Sequence, residues 1–215
     1  DENGKPYKSS GGKMVFNEEL EREIPEGWEV TQLSKIANIT MGQSPNGSSY
    51  NTYKEGTVFF QGSTDFGDRF PKLREYTTEP SRFAKSGDIL MSVRAPVGTL
   101  NVADVDCCIG RGLAALSSKD AAFFFLFNVM TNFKKIFDRR NALGTTFGAI
   151  NKPDLHSLEV VRPPSDILKL FDKATSDFQN LIQTNHRQNL ELTELRDWLL
   201  PMLMNGQVTV SEARS

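Results

Sequence analysis

Residues 165–200 read SDILKLFDKATSDFQNLIQTNHRQNLELTELRDWLL. Within this stretch apolar or small residues recur with alternating steps of four and three, and two polar residues share that spacing. Such a heptad pattern predicts one long helix whose seam packs against another helix, and polar seam residues commonly fix register or partner. At 1.5 Å per residue the helix would be roughly 50 Å long, so its seam must meet a second long helix, in this chain or in another. The ten seam positions are Ile167, Phe171, Ala174, Phe178, Leu181, Asn185, Gln188, Leu192, Leu195 and Leu199.

Both ends of this helix carry boundary residues. The Pro-Pro pair at 163–164 precedes it, and Ser165 or Asp166 can cap the first turn. Pro201 lacks the backbone N–H that a helix interior uses, so we expect the helix to end there. Residues 164–215 are therefore predicted to form a long pairing helix with a short tail.

The preceding region, residues 24–163, alternates short β-rich stretches with turns. Residues 121 to about 140 predict a helix, because large apolar residues recur there every three or four positions, and Asp120 is placed to cap it. Short strands between Gly, Ser, Pro, Asn and Asp turns indicate a curled mixed sheet, so the domain is expected to be α+β. Residues 1–23 are polar and contain Ser and Gly, which predicts an extended lead-in or linker. The strand candidates are 58–60, 88–93, 98–102, 113–116 and 158–161.

Composition sets limits on function. The chain has 215 residues, of which 38% are hydrophobic and 24% charged, as in ordinary globular proteins. No apolar run approaches the roughly 20 residues of a membrane helix, and the acidic, polar start does not resemble a signal peptide, so we expect a cytoplasmic protein without membrane contact. The net charge of −2 argues against coating DNA by bulk charge. Residues 24–163, however, hold 16 Lys and Arg against 14 Asp and Glu.

Sequence patterns for catalysis and metal binding are lacking. There is no phosphate-binding glycine loop and no strand–glycine turn–helix unit for a nucleotide or methyl donor. Cys107 and Cys108 are adjacent, so a disulfide between them would not link distant segments, and they lack the spacing of zinc ligands. We interpret them as small buried residues. His156 and His186 have no partner cluster. We predict no catalytic residues, no metal and no cofactor, which disfavours a remnant nuclease or methyltransferase.

Five polar loops remain as candidates for binding. Gln and Asn amides can pair with adenine, Ser and Thr hydroxyls with several base edges or phosphate, and Arg with guanine or phosphate. Each loop alone would be an ordinary turn, so the prediction depends on several of them sharing one β-rich domain. The loops are 41–51, 61–69, 94–98, 109–112 and 144–148, with 151–152 just beyond. The candidate DNA contacts are Gln43, Ser44, Asn46, Ser48, Gln61, Arg69, Arg94, Arg111, Thr145 and Lys152.

The order of several motifs resembles that of the specificity subunits of type I restriction–modification enzymes. The resemblance covers about residues 24–210. The motifs are IPEGWEV at 24–30, GQSP at 42–45, GDILMSVRAPVG at 87–98, IGRGLAAL at 109–116 and LRDWLLPMLMNG at 195–206.

This resemblance implies a function and partners. Subunits of that family are non-catalytic, carry two target-recognition domains held apart by an antiparallel helix pair, and read a split double-stranded DNA target. Modification subunits that carry the methyl donor dock on them, and restriction subunits join. The present sequence has one domain and one helix, and residues 1–7 resemble the junction that follows the first helix. It is therefore expected to be a second half, either a fragment or the product of a split gene.

The partner of the pairing helix and the function of the loops each leave two alternatives. Two copies could pair antiparallel through the seam and mimic a whole subunit, or the helix could meet the other half. The rival interpretation is a coiled-coil assembly module whose globular domain binds protein and does not read DNA. DNA reading predicts that the five loops converge on one basic, concave face, whereas scattered loops would favour the assembly module.

Overall fold

The computed structural model describes residues 11–142 and 148–209, without the side chains of 139–142. The chain divides into two compact units, residues 1–172 and 173–215. No helix within the described ranges is long and apolar enough to cross a membrane. The strands are β1 (Met14–Asn17), β2 (Arg22–Pro25), β3 (Glu29–Gln32), β4 (Ala37–Met41), β5 (Tyr50–Asn51), β6 (Thr57–Phe60), β7 (Glu75–Thr77), β8 (Phe83–Ala84), β9 (Ile89–Ser92), β10 (Leu100–Val102), β11 (Cys107–Ile109), β12 (Leu113–Ser118) and β13 (Glu159–Arg162). The helices are α1 (Leu33–Ile36), α2 (Phe123–Ala142), α3 (Lys152–His156) and α4 (Ser165–Met204).

Two main sheets form the domain. The first has the strand order β10-β9-β12-β4 and is antiparallel, while the second has the order β5-β7-β6-β11-β8 and contains the parallel pair β6–β11. Two smaller antiparallel pairs, β1–β2 and β13–β3, complete the described strands. An antiparallel sheet and a mixed sheet, together with helices and the long helix α4 that follows, confirm the predicted α+β fold class.

Strand β9 lies between two hydrophobic clusters. Ile89 and Met91 pack in the cluster that includes Leu126 of α2, whereas Leu90 belongs to the cluster that includes Phe60 of the second sheet. Neighbouring residues of a strand point to opposite faces, so a strand covered on both faces is apolar along its whole length. This position explains the unbroken apolar run at 89–91, where every residue is fully buried.

The predicted start of α2 was wrong by two residues. The helix begins at Phe123, and Ala121 has a left-handed φ of +56°. Asp120 does not cap it, because the hydroxyl of Ser118 accepts the backbone N–H of Ala122 at 3.1 Å. Asp120 instead accepts from Arg162 at 3.1 Å, so its carboxylate ties this turn to β13.

Both predicted ends of α4 also need correction. Ser165 and Asp166 lie inside the first turn, which opens with the Leu168 N–H donating to the Pro164 carbonyl at 3.1 Å. At the far end Pro201 lies within the helix, which continues to Met204. A proline removes only its own hydrogen bond, and the last carbonyls are satisfied as Asn205 and Gln207 donate back into the final turn.

Part of the predicted lead-in has regular structure. Strands β1 and β2 form a hairpin in which Met14 pairs with Pro25 and Asn17 with Arg22. The side chain of Asn17 accepts the backbone N–H of Leu20 at 2.9 Å, which closes the turn between the strands. The hairpin extends to Ile24, which is buried.

Candidate nucleic-acid interface

The carboxyl ends of four strands meet at the start of β12. Leu113, the first residue of β12, pairs with Ser92 at the end of β9, and Ala114 pairs with Met41 at the end of β4. Strands β6 and β11 run parallel, and their last residues, Phe60 and Ile109, are partners. Because each strand ends at this edge, the loops that follow β4, β6, β9 and β11 begin side by side.

Hydrogen bonds join three of these loops directly. The backbone N–H of Arg111 donates to the hydroxyl of Ser44 at 3.2 Å, and this hydroxyl donates to the Gln61 side-chain oxygen at 3.1 Å. The Gly112 N–H donates to the Gln61 carbonyl at 3.2 Å. Ser44 and Gln61 therefore hold the three loops in fixed relative positions.

The loop that follows β9 and the segment around Ala149 and Ile150 adjoin this group. The Val93 N–H donates to the Gly112 carbonyl at 2.9 Å, and the Ile150 N–H donates to the Val93 carbonyl at 2.8 Å. Arg94 and Ala149 form an isolated bridge. The loop after β9 thus lies between the 110–112 loop and the segment that leads into α3, while predicted contact Thr145 lies outside the described residues.

Glycines permit the close approach of these loops. A Cβ on Gly42 would lie 2.2 Å from the Gly110 carbonyl oxygen, and one on Gly110 would lie 2.9 Å from the Cα of Gln61. A Cβ on Gly112 would lie 2.8 Å from the Gln61 carbonyl oxygen. Neither Gly42 nor Gly110 was among the predicted site residues. The Gly-Gln and Gly-Arg-Gly sequences at 42–43 and 110–112 were the available signal.

Six predicted contacts have exposed side chains, and they include three cations. Asn46 also organises its own loop, because its side-chain oxygen accepts the Ser48 N–H at 3.4 Å. Ser44 and Gln61 are only partly exposed, and their polar groups are engaged in the loop contacts given above. The six exposed residues are Gln43, Asn46, Ser48, Arg94, Arg111 and Lys152.

Arg69 lies apart from this edge. Its guanidinium carbon is 4.0 Å from the ring centroid of Phe127, with Phe123 and Phe124 within 5.6 and 5.9 Å. The Arg69 carbonyl accepts a hydrogen bond from the N–H of Val102. Val102 pairs with Ile89 at the start of β9, whereas Arg94 follows the end of that strand. Burial lowers the pKa of Arg69. The Phe-rich start of α2 was the sequence signal for this packing.

The seam of α4 is exposed to solvent. Nine of the ten predicted seam residues are exposed, and Leu199 is half-buried. Phe178, Leu181 and Leu192 keep 60%, 57% and 62% of their surface. The residue of α4 that is buried is Leu168, next to the seam residue Ile167. A row of exposed apolar residues at heptad spacing is a surface suited to another helix.

Taken together, these features define a modular class of protein, in which an α+β domain presents polar loops at one sheet edge and a coiled-coil-type helix follows. Residues 25–194 match the family model of the type I restriction modification DNA specificity domain, so the chain belongs to that family. This membership confirms the resemblance found in the sequence.

Individual relatives agree with the family. The chain is 37% identical over 192 residues to the "Putative type I restriction enzyme MjaX specificity subunit" of Methanocaldococcus jannaschii, covering 87% of this chain and 45% of that protein. The HsdS subunit of Thermoanaerobacter tengcongensis superposes with a TM-score of 0.62 at 34% identity, over 87% of this chain and 47% of that one. An S subunit of M. genitalium, at 14% identity and a TM-score of 0.58 over 81% of this chain and 45% of that one, shares the fold. The chain therefore spans about half the length of these relatives.

Proposed function

We propose that this chain reads one half of a bipartite double-stranded DNA target, as the recognition half of a type I restriction–modification specificity subunit. The supporting observation is the meeting of loops from four strand ends at one sheet edge, where Arg94, Arg111 and Lys152 are exposed. Scattered loops would have favoured the rival assembly module. Similarity to specificity subunits supports the same choice.

The residues at this edge have different proposed roles. Arg94 and Arg111 donate to guanine or phosphate, and Lys152 donates to phosphate. The amides of Gln43 and Asn46 contact base edges directly. The main role of Ser44 and Gln61 is to hold the loops in their relative positions, and contact with DNA is a secondary role for these two residues. Ser48 and Thr145 complete the set of proposed polar contacts.

The proposed partners follow from charge and from the exposed seam. The net charge of −2 gives weak phosphate attraction, so modification subunits, and restriction subunits with them, would supply further contacts in a cytoplasmic complex. The specificity chain itself contributes no catalytic step, because the methyl donor belongs to the modification subunit. The seam pairs with a second copy or with the other half of a specificity subunit.

Selection from a randomised duplex DNA pool tests this proposal. The protein is used with and without a cognate modification subunit, at two salt concentrations. Enrichment of a short half-site, strengthened by the modification subunit, is expected. No enrichment in either case, with the modification subunit shown to bind, would leave only the assembly role.

Single substitutions sharpen this test. Replacing an arginine that contacts phosphate should reduce the slope of log affinity against log salt by about 1. We therefore expect weaker binding and a smaller slope for Arg111→Ala. Lys35→Ala is the matched control, since Lys35 is an exposed cation on α1, at the opposite end of β4 from the loops. Equal effects of both substitutions would argue against the assigned edge.

A further inference from the structure

A segment outside the five predicted loops also reaches the sheet edge where β4, β6, β9 and β11 end, which we call the recognition edge. Strand β8 runs antiparallel to β11, with Phe83 paired with Cys108, and Cys108 and Cys107 are both fully buried. One residue further along, the Ile109 N–H donates to the Arg82 carbonyl at 2.9 Å. Because Ile109 is the last residue of β11, strand β8 begins where β11 ends, and the segment that leads into it lies at the recognition edge.

Hydrogen bonds join this segment to the predicted base contact Gln43. The hydroxyl of Ser81 donates to the Gln43 carbonyl at 2.5 Å. The Gln43 N–H donates to the Ile109 carbonyl at 3.0 Å, while the Ile109 N–H donates to Arg82. The backbones of Gln43 and Arg82 are therefore held in fixed relative positions through Ser81 and Ile109.

The side chain of Arg82 is an exposed cation. Within the part of the chain that the structure describes, no carboxylate forms an ion pair with it. Lys85, which follows the other end of β8, differs in this respect, because its ammonium lies 2.6 Å from a carboxylate oxygen of Asp106. The guanidinium of Arg82 can thus bind an anion from outside without breaking an internal ion pair.

Arg82 lies at the outer side of the loop group. The order of the second sheet ends with β6-β11-β8, so β8 is its outermost strand on this side. In protein–DNA interfaces contacts to phosphates fix the register of the protein, whereas contacts to base edges carry the sequence information. A cation beside a base-reading amide, on the outer side of the group, is placed for the backbone phosphate that flanks the base pair.

We propose that Arg82 binds a DNA backbone phosphate and that Ser81 positions Gln43 relative to this contact, so that residues 81–82 form a further segment of the interface. This inference rests on the proposed reading of DNA, and it adds two residues that none of the five predicted loops contains. The phosphate bound by Arg82 fixes the DNA backbone at this point. The hydrogen bonds of Ser81 and Ile109 then hold the Gln43 backbone at a fixed distance from it.

Salt-dependent binding tests the phosphate contact. The probes are a duplex that carries the half-site selected from the randomised pool and a scrambled duplex of the same length, both in the presence of the modification subunit. Arg82→Ala should weaken binding to both duplexes about tenfold, because either complex loses a charged hydrogen bond. The slope of log affinity against log salt should fall by about 1. Arg82→Lys should retain the slope, since an ammonium also binds phosphate.

Lys85→Ala is the matched control for Arg82→Ala. It removes one positive charge from the same strand region, but at the end of β8 away from the recognition edge. Its affinity for both duplexes should stay within about twofold of wild type.

Duplexes with a single neutral methylphosphonate locate the phosphate. A series of them carries the substitution at each position in and around the half-site in turn. At the phosphate bound by Arg82, the substitution should weaken the wild-type protein about tenfold. It should weaken the Arg82→Ala protein by less than about twofold, because that protein has no contact left to lose there. Identical profiles for the two proteins would overturn the phosphate contact.

Ser81 has a readout of its own, which is discrimination among base pairs. Ser81→Ala removes the hydroxyl that donates to the Gln43 carbonyl. It should therefore reduce discrimination at the same base pair as Gln43→Ala does and leave the salt slope unchanged, while Ser81→Thr, which keeps a hydroxyl, should restore discrimination. Unchanged discrimination in Ser81→Ala, or an equal loss at every position of the half-site, would overturn the positioning role.

The outcomes separate this inference from the proposed function. A reduced slope for Arg111→Ala with an unchanged slope for Arg82→Ala would keep the reading of DNA and overturn the Arg82 contact. Equal losses for Arg82→Ala and Lys85→Ala would also overturn it, since bulk charge would then account for both. A changed half-site for Arg82→Ala in a repeated selection would show a base contact in place of the phosphate contact. No enrichment with the wild-type protein would overturn the proposed function and this inference together.

Discussion

Gly42 and Gly110 let two loops pack backbone against backbone. Alanine at position 42 would place its Cβ 2.2 Å from the Gly110 carbonyl oxygen, so the two loops would have to separate. We expect Gly42→Ala to lower the free energy of unfolding by about 1–3 kcal/mol, the range of overpacked sites, and to weaken DNA binding. Urea denaturation and a binding titration measure the two effects.

Gly47→Ala is the matched control for this prediction. Gly47 belongs to the same loop, a Cβ added there would meet no atom within 4 Å, and the residue does not require a positive φ. Its substitution should leave stability nearly unchanged. Comparable losses for both variants would mean that loop flexibility, and not the Gly42–Gly110 contact, controls the site.

Arg69 is predicted to stabilise the domain through its aromatic neighbours. Its guanidinium lies 4.0 Å from the Phe127 ring centroid, and such cation–π contacts contribute about 0.5–2 kcal/mol. Arg69→Ala should lower the unfolding free energy by about that amount, measured by urea denaturation. The salt dependence of DNA binding should stay unchanged, and a slope reduced as much as in Arg111→Ala would restore Arg69 as a phosphate contact.

At the scale of elements, the local periodicity of apolar residues predicted correctly that helices α2 and α4 form, but it predicted their first and last residues less well. The three-to-four spacing from residue 123 onward marks one face of α2, and the heptads mark α4, because both patterns arise from the helix period. The start of α2 was missed since its cap comes from Ser118, five residues before the helix. Pro201 was misinterpreted because a proline removes only its own hydrogen bond to the preceding turn, and the helix continues past it to Met204.

The seam of α4 should control self-association. Leu192 is a seam residue with 62% exposure, while Leu190 has 45% exposure on the outer side of the same turn. Leu192→Ala should raise the dimer dissociation constant about tenfold or more, because a leucine buried between helices contributes roughly 1.5–3 kcal/mol. Leu190→Ala should have little effect. Sedimentation equilibrium measures both, and similar constants would point to another pairing surface.

At the scale of the whole molecule, the sequence indicated the loops but not their meeting point. Loops at 42–46, 61–62, 93–94 and 110–112 come together through the parallel pairing of β6 with β11 and the antiparallel pairing of β12 with both β4 and β9. These pairings join strands far apart in sequence, which local residue patterns do not specify. Arg69 and Gln61 belong to the same predicted loop, but the Arg69 carbonyl accepts from Val102 of β10, away from the edge where Gln61 lies. Closeness in sequence to a site residue therefore did not place Arg69 at the site.

Symmetry connects the proposed pairing to the DNA target. Two identical copies joined antiparallel are related by a two-fold axis, and symmetric proteins read symmetric sites. The chain alone should therefore select two identical half-sites in inverted orientation at one fixed spacing, because a second linked contact adds affinity only when geometry permits both. The Leu192→Ala protein should retain the half-site and lose the spacing preference. Selection of a single half-site by the wild-type protein at micromolar concentration would show that its seam is completed by a different helix.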